Sequence, residues 1–431
     1  MTVRNQPLYS DLLPCSNRLP FSLYIHIPFC RRRCSYCDFN TYAGLESLVP
    51  DYVTAICREA EVVEAAAGER LPIHTVFLGG GTPSLLPLPE LERIFTAVRE
   101  SFDLQEAAEI SLEANPGTLD PVSLRGLRHL GVNRLSLGMQ SAHADELELL
   151  GRIHTYAEVI QAVEWARRAG FANLNLDLIF GLPGQPLERW EATLEQAVGL
   201  GSEHLSLYAL TLEEGTPLLG RVQAGQLSEP DPDRSADMYD RATEILEGAG
   251  FQQYEISNWA KTAGETGTEV ENPSYACRHN LQYWRNRPYI GLGAGAHGYA
   301  GSVRIANVLA PAEYIARMGT PSPERWSVSP LPHFKNGNGG GGSPAAAQVT
   351  PIDQQTEIGE TMMMGLRLTR EGVSRMVFCE RFGRELSEVF AEPIERLIHQ
   401  GLLEWAGPHG DVLRLTRGGR LLGNRVFMEF I

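Results

Sequence analysis

The alternation of strand-like and helical segments between residues 21 and 250 limits the fold of this chain more than any other feature. Segments with strand periodicity occur at 23–27, 75–78, 109–113, 133–137, 173–180 and 204–210, and amphipathic helical segments lie between them. Repeated strand–helix alternation indicates parallel strands joined by crossover helices. An open doubly wound sheet and a TIM-type barrel, complete or partial, both fit this pattern.

The polarity of the strands favours the barrel. In the segment 173–180, leucines occupy one face, whereas Asn173, Asn175 and Asp177 occupy the other. A parallel strand covered by helices on both sides would be apolar on both faces. One polar face on every strand predicts a wide or incompletely closed barrel with a polar interior, and a sheet with one solvent-facing side is the alternative.

Active sites of such barrels lie at the C-terminal ends of the strands. The sequence is expected to place five candidate residues there, namely Cys30, Gly79, Glu113, Gln140 and Asp177. The pattern thus predicts that residues far apart in sequence share one end of the barrel.

One helix between these strands has clear start and stop signals. Thr155 and Glu158 have the spacing of a capping box, and Gly170 follows the last apolar position of the helical pattern. The sequence therefore predicts a helix that begins after Thr155 and ends before Gly170.

The C-terminal part of the sequence predicts a separate, mostly helical module. Helices are expected at 357–367, 373–382 and 386–399, followed by a hairpin of 402–405 and 412–415, an order that resembles a winged helix. We expect it to pack against the protein or a partner. A DNA-reading role is the alternative, and it would use Arg414, Arg417, Arg420 and Arg425.

The expected domain boundaries follow from these patterns and from two biased segments. The segment 261–271 is polar, and 336–346 is rich in glycine. The expected regions are an N-terminal extension at 1–20, the barrel at 21–250, an accessory region at 251–334, a glycine-rich linker or insertion at 335–350, and the winged-helix-like domain at 351–431.

The composition excludes some functions. The 431 residues include 37 Lys and Arg against 53 Asp and Glu, a net charge of −16, which argues against a nucleic acid partner because phosphate binding needs local positive charge. No segment has the ~20 apolar residues of a transmembrane helix, and residues 1–20 resemble neither a secretory signal nor a transit peptide. We expect a cytosolic protein, for which peripheral membrane contact stays open.

The cysteines indicate a metal or redox site. Seven cysteines are an odd number, and Cys30, Cys34 and Cys37 lie within eight residues directly after the first strand. Three thiolates from one loop can hold three irons of a 4Fe–4S cluster and leave the fourth iron open. The positive charges of Arg31 to Arg33 would favour the thiolate forms.

Two alternatives exist for this loop. A zinc site would need His26 or Asp38 as a fourth ligand, because no further cysteine or histidine stands at zinc-finger spacing. A thioredoxin-like redox pair would use Cys34 and Cys37, although the barrel context does not favour it.

The run from Tyr24 to Cys37, Y-I-H-I-P-F-C-x3-C-x-Y-C, resembles the opening of the radical S-adenosylmethionine (SAM) superfamily, in its coproporphyrinogen-oxidase-like branch. The resemblance covers nearly the whole chain. It implies an α/β fold with a partial (β/α)6 TIM-type barrel, a 4Fe–4S cluster and bound SAM. In that superfamily, SAM chelates the open iron, and an electron from the cluster splits it into methionine and a 5′-deoxyadenosyl radical.

The resemblance also implies the residues that contact SAM. The glycine motif at 79–83 can approach a ligand with bare backbone. Glu113 is placed to accept from ribose hydroxyls or an amine, and Arg152 to pair with the SAM carboxylate. The implied SAM contacts are Tyr24, Tyr36, Gly80, Gly81, Thr82, Glu113, Gln140, Arg152 and Asp177.

Phe39 distinguishes two families within this branch. Oxygen-independent coproporphyrinogen III oxidases carry a fourth cysteine two positions after the third, where this chain has Phe39. The Cys-Asp-Phe form resembles the HemW-type haem chaperone family instead. The segment 279–284, H-N-L-Q-Y-W, matches the H-N-x-x-Y-W signature of that family.

The signature segment contains residue types that suit haem. In a helix His279 and Tyr283 would share one face, and imidazole is an axial haem ligand. Tyr283 and Trp284 could stack on a porphyrin. A buried core histidine beside packed aromatic residues is the alternative, and Cys277 and His297 are the other candidate ligands.

These features predict a radical SAM-type haem chaperone that delivers haem to an acceptor protein and takes electrons from a donor such as a flavodoxin or ferredoxin. The first competing hypothesis is an oxygen-independent coproporphyrinogen III oxidase of porphyrin biosynthesis. The second is a binding module that keeps the cluster for structure. The sequence assigns no catalytic residue.

Overall fold

A computed structural model of the protein describes residues 20–263, 272–319 and 343–431. Residues 1–19 of the expected N-terminal extension lie outside this range. So do most of the polar segment 261–271 and residues 335–342 of the expected linker.

The described residues form seventeen strands and sixteen α-helices. The strands are β1 Phe21–Ile27, β2 Phe29–Cys30, β3 Tyr42–Ala43, β4 Leu71–Gly80, β5 Phe102–Ala114, β6 Arg134–Gln140, β7 Leu174–Phe180, β8 His204–Ala209, β9 Gln252–Glu255, β10 Asn258–Ala260, β11 Tyr289–Leu292, β12 His297–Ala300, β13 Val303–Asn307, β14 Ala346–Pro351, β15 Val373–Ser374, β16 Leu403–Ala406 and β17 Val412–Leu415. The helices are α1 Val49–Ala67, α2 Leu88–Ser101, α3 Pro121–Leu130, α4 Ala144–Leu149, α5 Tyr156–Arg168, α6 Leu187–Gly199, α7 Pro217–Gln223, α8 Pro232–Gly248, α9 Arg278–Trp284, α10 Pro311–Gly319, α11 Gln354–Gly365, α12 Arg375–Phe382, α13 Leu386–Val389, α14 Ala391–His399, α15 Arg417–Leu421 and α16 Gly423–Phe427.

The chain forms two compact units. The first contains the described residues up to Ser136, Glu164–Phe171 and Arg287–Ile352, and the second contains Leu137–Val163, Ala172–Asn286 and Asp353–Ile431. Six strands, β1 and β4 to β8, are each followed by a helix before the next of them begins. This order confirms the strand–helix alternation that the sequence predicts.

The sheet of the first unit combines parallel and antiparallel parts. β1 is parallel to β4 and β11, and β5 is parallel to β4. β12, β13 and β14 continue it in antiparallel order beyond β11. Leu23 and Ile25 are fully buried and pair in register with Val76 and Leu78, so the apolar faces of β1 and β4 form one continuous core layer.

Glu59 connects helix α1 to the antiparallel part of this sheet. Its buried carboxylate accepts hydrogen bonds from the Gly293 N–H at 2.8 Å, Asn307 Nδ2 at 2.9 Å, and the hydroxyls of Tyr314 at 2.7 Å and Ser343 at 2.6 Å. Burial raises the pKa of Glu59, and the four donors lower it. These hydrogen bonds hold α1, β13, α10 and the segment before β14 together.

The second unit contains the last barrel strands and the C-terminal module. β7 is parallel to β8, and β10 pairs in antiparallel order with β8 and β9. β15, β17 and β16 form a three-stranded sheet, as in a winged helix. The module has its own apolar core, which includes Ile358, Met362, Phe378, Leu397 and Leu413.

Two of the four arginines of the C-terminal module are used in contacts within the unit. Arg414 Nε donates to Glu404 at 2.7 Å, and Arg420 Nη1 donates to Gln253 at 2.7 Å. These contacts agree with the predicted packing role, because both guanidinium groups bind acceptors of the protein itself.

The structure differs from the sequence expectations at several element boundaries. The helix expected at 373–382 begins only at Arg375, since Val373 and Ser374 pair with β17. The helix expected at 386–399 is divided at Phe390, whose φ of −126° is not helical. Residues 346–350 of the expected linker belong to β14, which pairs with β13.

Two expectations on the barrel strands need correction. Asp177 was expected at the C-terminal end of its strand, yet it is the central residue of β7, because β7 continues to Phe180. The polar faces of the strands are also less accessible to solvent than the predicted wide or incompletely closed barrel implies. Ser22 and Thr75 are fully buried, and their hydroxyls hydrogen-bond each other at 2.5 Å across β1 and β4.

The helix after Thr155 is confirmed in detail. The Thr155 N–H donates to Glu158 Oε2 at 2.7 Å, and the Glu158 N–H donates to the Thr155 hydroxyl at 3.3 Å. This reciprocal capping box satisfies N–H groups that the first helical turn leaves open. Gly170, with φ of +90°, follows the end of α5.

Candidate functional site

The cysteine loop lies in the first unit and follows β1. Cys30 ends β2, which pairs in parallel with β3 after the loop, so the two ends of the cysteine loop lie side by side. Cys30, Cys34 and Cys37 are partly exposed thiols outside any disulfide. The Thr82 hydroxyl donates to Cys30 Sγ at 3.6 Å, and the Thr41 hydroxyl lies 3.7 Å from Cys37 Sγ.

The donor set of this loop fits a cluster better than a single metal ion. Within residues 20–263, 272–319 and 343–431, no group of three or more His, Cys, Asp or Glu side chains could hold a metal ion. A zinc ion needs its ligands to converge on one point. A 4Fe–4S cluster makes a different demand, because each thiolate binds a separate iron. Three accessible thiols on one loop meet that demand.

The glycine motif forms a surface with no room for side chains. A Cβ atom on Gly79 would lie 2.8 Å from the Phe77 ring, and one on Gly81 would lie 2.7 Å from the Phe29 carbonyl oxygen. Gly80 has a φ of +109°, and a Cβ there would lie 2.3 Å from the His26 ring. The bare backbone of this loop therefore fits close contact with a ligand, as the resemblance implies.

His26 supports the glycine motif and is fully engaged. Its Nε2 donates to the Asn40 carbonyl oxygen at 2.9 Å, which leaves Nδ1 to accept from the Tyr24 hydroxyl at 2.9 Å. Burial, together with the nearby His297, lowers the pKa of His26 below its ordinary value, although the Asn40 hydrogen bond opposes this. With both ring nitrogens used, His26 does not serve as a fourth zinc ligand.

Glu113 lies at the end of β5, as predicted. Its carboxylate accepts from the Gly80 N–H at 3.0 Å, which joins the glycine motif to β5. Ser111 precedes it on the same face, and its buried hydroxyl has no hydrogen-bond partner among the described residues. Burial and the Glu113 carboxylate raise the pKa of Tyr24, so its phenol stays protonated. These groups can pair with hydroxyls or an amine.

Gln140 and Arg152 are brought together in the second unit. Arg152 Nη2 donates to the Gly138 carbonyl oxygen at 3.0 Å. A Cβ on Gly138 would lie 2.9 Å from both Arg152 Nη2 and Gln140 Nε2, so only glycine leaves space for these two side chains. Gln140 has a φ of +64°, a strained value for a residue with a side chain.

His154 lies beside this pair. It is 3% exposed, and its Nε2 donates to the Met139 carbonyl oxygen at 3.2 Å. Burial and the charge of Arg152 lower the pKa of His154 to about 4. At neutral pH the positive charge here therefore belongs to Arg152, which suits an anionic ligand group.

Helix α9 places the signature residues of 279–284 in the second unit. His279 is 1% exposed, and its Nε2 hydrogen-bonds the Tyr283 hydroxyl at 3.0 Å. Their rings meet edge to face with centroids 5.0 Å apart. The Arg367 guanidinium stacks over Trp284 at 4.7 Å. In this structure His279 is a buried, hydrogen-bonded histidine and presents no imidazole to solvent.

The other candidate ligands differ in exposure. Cys277, directly before α9, is fully buried. His297 begins β12 in the first unit and is exposed, and burial of part of its ring, together with Arg304, lowers its pKa. Tyr36 lies partly exposed in the cysteine loop.

Phe39, the residue in place of the fourth cysteine, is 63% exposed. The neighbouring Asn40 amide donates to the carbonyl oxygens of Ala294 at 3.1 Å and Leu309 at 2.9 Å. Leu309 is 61% exposed, so two apolar side chains are presented by adjoining loops. Arg31 to Arg33 are exposed as well.

Two residues that build these sites, Asn40 and Gly138, are absent from the sequence predictions. Asn40 organises the cysteine loop through partners more than 250 residues away, a relation without a local signal. Gly138 could have been noticed, because an isolated glycine inside a strand pattern indicates close approach of another group.

Comparisons with known proteins agree with these observations. The radical SAM superfamily profile matches residues 24–197, and the profile of the HemN C-terminal domain matches residues 352–422. "Heme chaperone HemW" of Bacillus subtilis is 37% identical over 95% of this chain and 99% of its own length. "Heme chaperone HemW" of Escherichia coli is 43% identical over 65% of this chain and 70% of its own length.

A solved structure shares the fold. The radical SAM enzyme coproporphyrinogen III oxidase (HemN) of Escherichia coli superimposes with a TM-score of 0.76 over 95% of this chain and 90% of that one, at 22% identity. This likeness confirms the expected α/β fold, the partial barrel with its largely helical C-terminal part.

Proposed function

Because the chain belongs to the radical SAM superfamily and, within it, to the HemW family of haem chaperones, we propose that it binds haem and transfers it to an acceptor protein. The similarity to curated haem chaperones over 95% of the chain is the observation that carries this proposal.

Membership of the radical SAM family implies a 4Fe–4S cluster and SAM. The cluster supplies single electrons when it is bound. Cys30, Cys34 and Cys37 are the proposed ligands, because they are the accessible thiols of one loop. The proposed SAM contacts are Tyr24, Tyr36, Gly80, Gly81, Thr82, Glu113, Gln140, Arg152 and Asp177.

The geometry of the proposed SAM contacts supports their roles. Gly80 and Gly81 admit close contact through bare backbone. The Glu113 carboxylate supplies an acceptor near the end of β5, and Tyr24 lies on β1, with β4 between the two strands. Arg152, beside a neutral His154, offers a positive charge to a carboxylate.

Haem binding by the signature segment requires a rearrangement. Ligation of haem iron through His279 requires Tyr283 to give up its hydrogen bond and the helix to expose the imidazole. His297 is already exposed and is the alternative ligand. Tyr283 and Trp284 supply aromatic surface for a porphyrin ring.

The proposed partners are a haem acceptor and an acidic electron donor such as a flavodoxin or ferredoxin. Exposed arginines at 31–33 in a chain of net charge −16 provide a local basic surface next to the proposed cluster ligands. Reduced thiols fit the proposed cytosolic location. No helix among the described residues has the length and apolarity to cross a membrane.

Anaerobic purification with iron, sulfide and haem measured on one sample tests the proposal. We expect reconstituted protein to bind haem with a Soret band, and either His279→Ala or His297→Ala to alter that band. A sample without a Soret band, or one that neither variant changes, would contradict haem ligation by these histidines.

Incubation with SAM, a reductant and coproporphyrinogen III distinguishes the chaperone from an oxidase. We expect no protoporphyrinogen, because Phe39 stands where the oxidases carry their fourth cysteine. Formation of protoporphyrinogen would overturn the chaperone assignment. Absence of 5′-deoxyadenosine under every reductant would instead indicate a structural cluster.

A further inference from the structure

A chain of buried hydrogen bonds in the second unit leads from Asp177 to the residue before helix α9. Asn175 Nδ2 donates to Asp177 Oδ1 at 2.8 Å. His204 Nδ1 lies 2.6 Å from Asn175 Oδ1, and His204 Nε2 lies 2.9 Å from the Tyr254 hydroxyl. The Tyr254 oxygen accepts from the Cys277 N–H at 3.3 Å. The three middle side chains are 0% to 2% exposed.

With one proton on the His204 imidazole, these hydrogen bonds have one consistent set of donors and acceptors. The Asn175 amide oxygen only accepts, so His204 donates to it from Nδ1 and accepts the Tyr254 hydroxyl proton at Nε2. The Ser206 hydroxyl also donates to this amide oxygen, at 3.1 Å. Two donors on the oxygen fix the orientation of the Asn175 amide, and its NH2 group consequently faces Asp177.

The position of Asp177 in β7 suggests what the network does. Asp177 is the partly exposed residue at the centre of a strand whose other residues are buried. An aspartate carboxylate rotates about its side-chain bonds unless a neighbour holds it, and ordering it costs part of any binding free energy. The amide of Asn175 supplies that restraint before a ligand arrives.

We propose that His204 and Tyr254 are positioning residues for Asp177. They hold Asn175 so that its amide sets the orientation of the carboxylate that SAM contacts. The inference rests on the proposed function, in which Asp177 contacts SAM. Because the network ends on the Cys277 N–H, Tyr254 also holds the start of the segment that carries His279.

A double-mutant cycle on the full chain, reconstituted with its cluster, tests this inference. The variants are Asp177→Asn, Tyr254→Phe and the two combined, and the measurement is the SAM dissociation constant by equilibrium dialysis. Tyr254→Phe keeps the ring and removes the hydroxyl. We expect it to weaken SAM binding about five-fold, the effect of one hydrogen bond, without a change in iron content.

Tyr239→Phe is the matched control. Tyr239 is a buried tyrosine of the same unit, and its hydroxyl donates to the Ile256 carbonyl oxygen at 2.9 Å, outside the network. We expect this variant to leave the SAM dissociation constant unchanged, so that a loss of affinity in Tyr254→Phe is not a general effect of removing a buried hydroxyl.

Non-additivity separates positioning from a general structural role. If Tyr254 acts through Asp177, Tyr254→Phe has no further effect in the Asp177→Asn background. Additive effects, or unchanged SAM binding in Tyr254→Phe, would overturn the inference while Asp177→Asn still weakens binding. Unchanged binding in Asp177→Asn would instead remove Asp177 from the proposed SAM contacts, and the positioning role with it.

Asn175→Asp provides a second variant if Tyr254→Phe loses its fold. It keeps the acceptor for His204 but replaces the amide donor with a second carboxylate beside Asp177. We expect a loss of SAM affinity of at least ten-fold, and a much smaller one in the Asp177→Asn background. Equal losses in both backgrounds would contradict the inference.

Discussion

The cysteine–glycine region, which comprises Cys30–Cys37 and 79–82, and helix α9 both contain motifs of the family. Their polar groups differ in exposure to solvent. In the first region the thiols are partly exposed and the glycine backbone has no side chains to cover it. In α9 the histidine is 1% exposed and hydrogen-bonded to its own helix. A motif of the family can thus lie in an accessible loop or in a packed element.

Loss of one cysteine should give the largest difference between the two regions. We expect Cys34→Ala to lose essentially all reconstituted 4Fe–4S cluster, because only two thiolates would remain on the loop. Cys57→Ala, which removes a half-buried cysteine of α1, is the matched control and should retain its iron. Iron and sulfide assays measure both variants. A cluster retained at full occupancy by Cys34→Ala would exclude Cys34 as a ligand.

Removal of the α9 histidine should act on stability. We expect His279→Ala to lower the free energy of unfolding by about 2–4 kcal/mol, because it leaves a cavity at a fully buried position and removes the hydrogen bond to the Tyr283 hydroxyl. Tyr283→Phe should cost only about 1 kcal/mol, because it keeps the ring. Chemical denaturation measures both. If His279→Ala has the same free energy of unfolding as the wild type, the packing of His279 does not stabilise α9, and the contrast between the two regions fails.

A methyl group on the glycine motif should impair SAM binding. We expect Gly80→Ala to weaken it at least ten-fold, because its Cβ would lie 2.3 Å from the His26 ring, which is held by two hydrogen bonds. Gly44→Ala is the control. Gly44 also has a positive φ, +78°, but has open space around it, so we expect only about 1–2 kcal/mol of strain and normal SAM binding. Equal SAM affinity in both variants would show that bare backbone at Gly80 is not required.

Acid should produce the smallest effect, through His26, whose ring lies against Gly80 of the first region. Burial lowers the pKa of His26 below its ordinary value of 6.5. Below pH 6.5 the unfolded chain therefore binds a proton that the folded chain does not, and the stability that His26 contributes above pH 6.5 is lost as pH falls. We expect the thermal midpoint to fall by a few degrees between pH 7 and pH 5.5, and less in His26→Gln. Identical pH profiles would mean that His26 does not stay neutral.

Much of the site was predictable because its signals are local. The C-x3-C-x2-C spacing, the glycine run and the position of Glu113 after strand-like residues each depend on a few neighbouring positions. The Thr155–Glu158 capping box appears in the structure as two reciprocal hydrogen bonds. Such features are encoded within one helical turn or one strand, and they do not depend on the rest of the fold.

Other features were not predictable, since they depend on distant partners. Val373 and Ser374, expected at the start of a helix, form a strand because they pair with β17. Residues 346–350, expected as linker, become a strand because β13 offers an open edge. The burial of His279 depends on the core around α9, which no period in 279–284 reveals.

The sequence by itself determined the barrel class and the family and predicted the cysteine loop as the cluster site, because strand–helix periodicity and cysteine spacing are properties of neighbouring residues. Only the tertiary structure decided which polar residues are accessible and which are enclosed. Asn175, His204 and Tyr254 are polar or amphipathic in sequence, but packing removes them from water and obliges them to satisfy one another. That requirement, which arises only in a folded interior, turns three separate residues into one network.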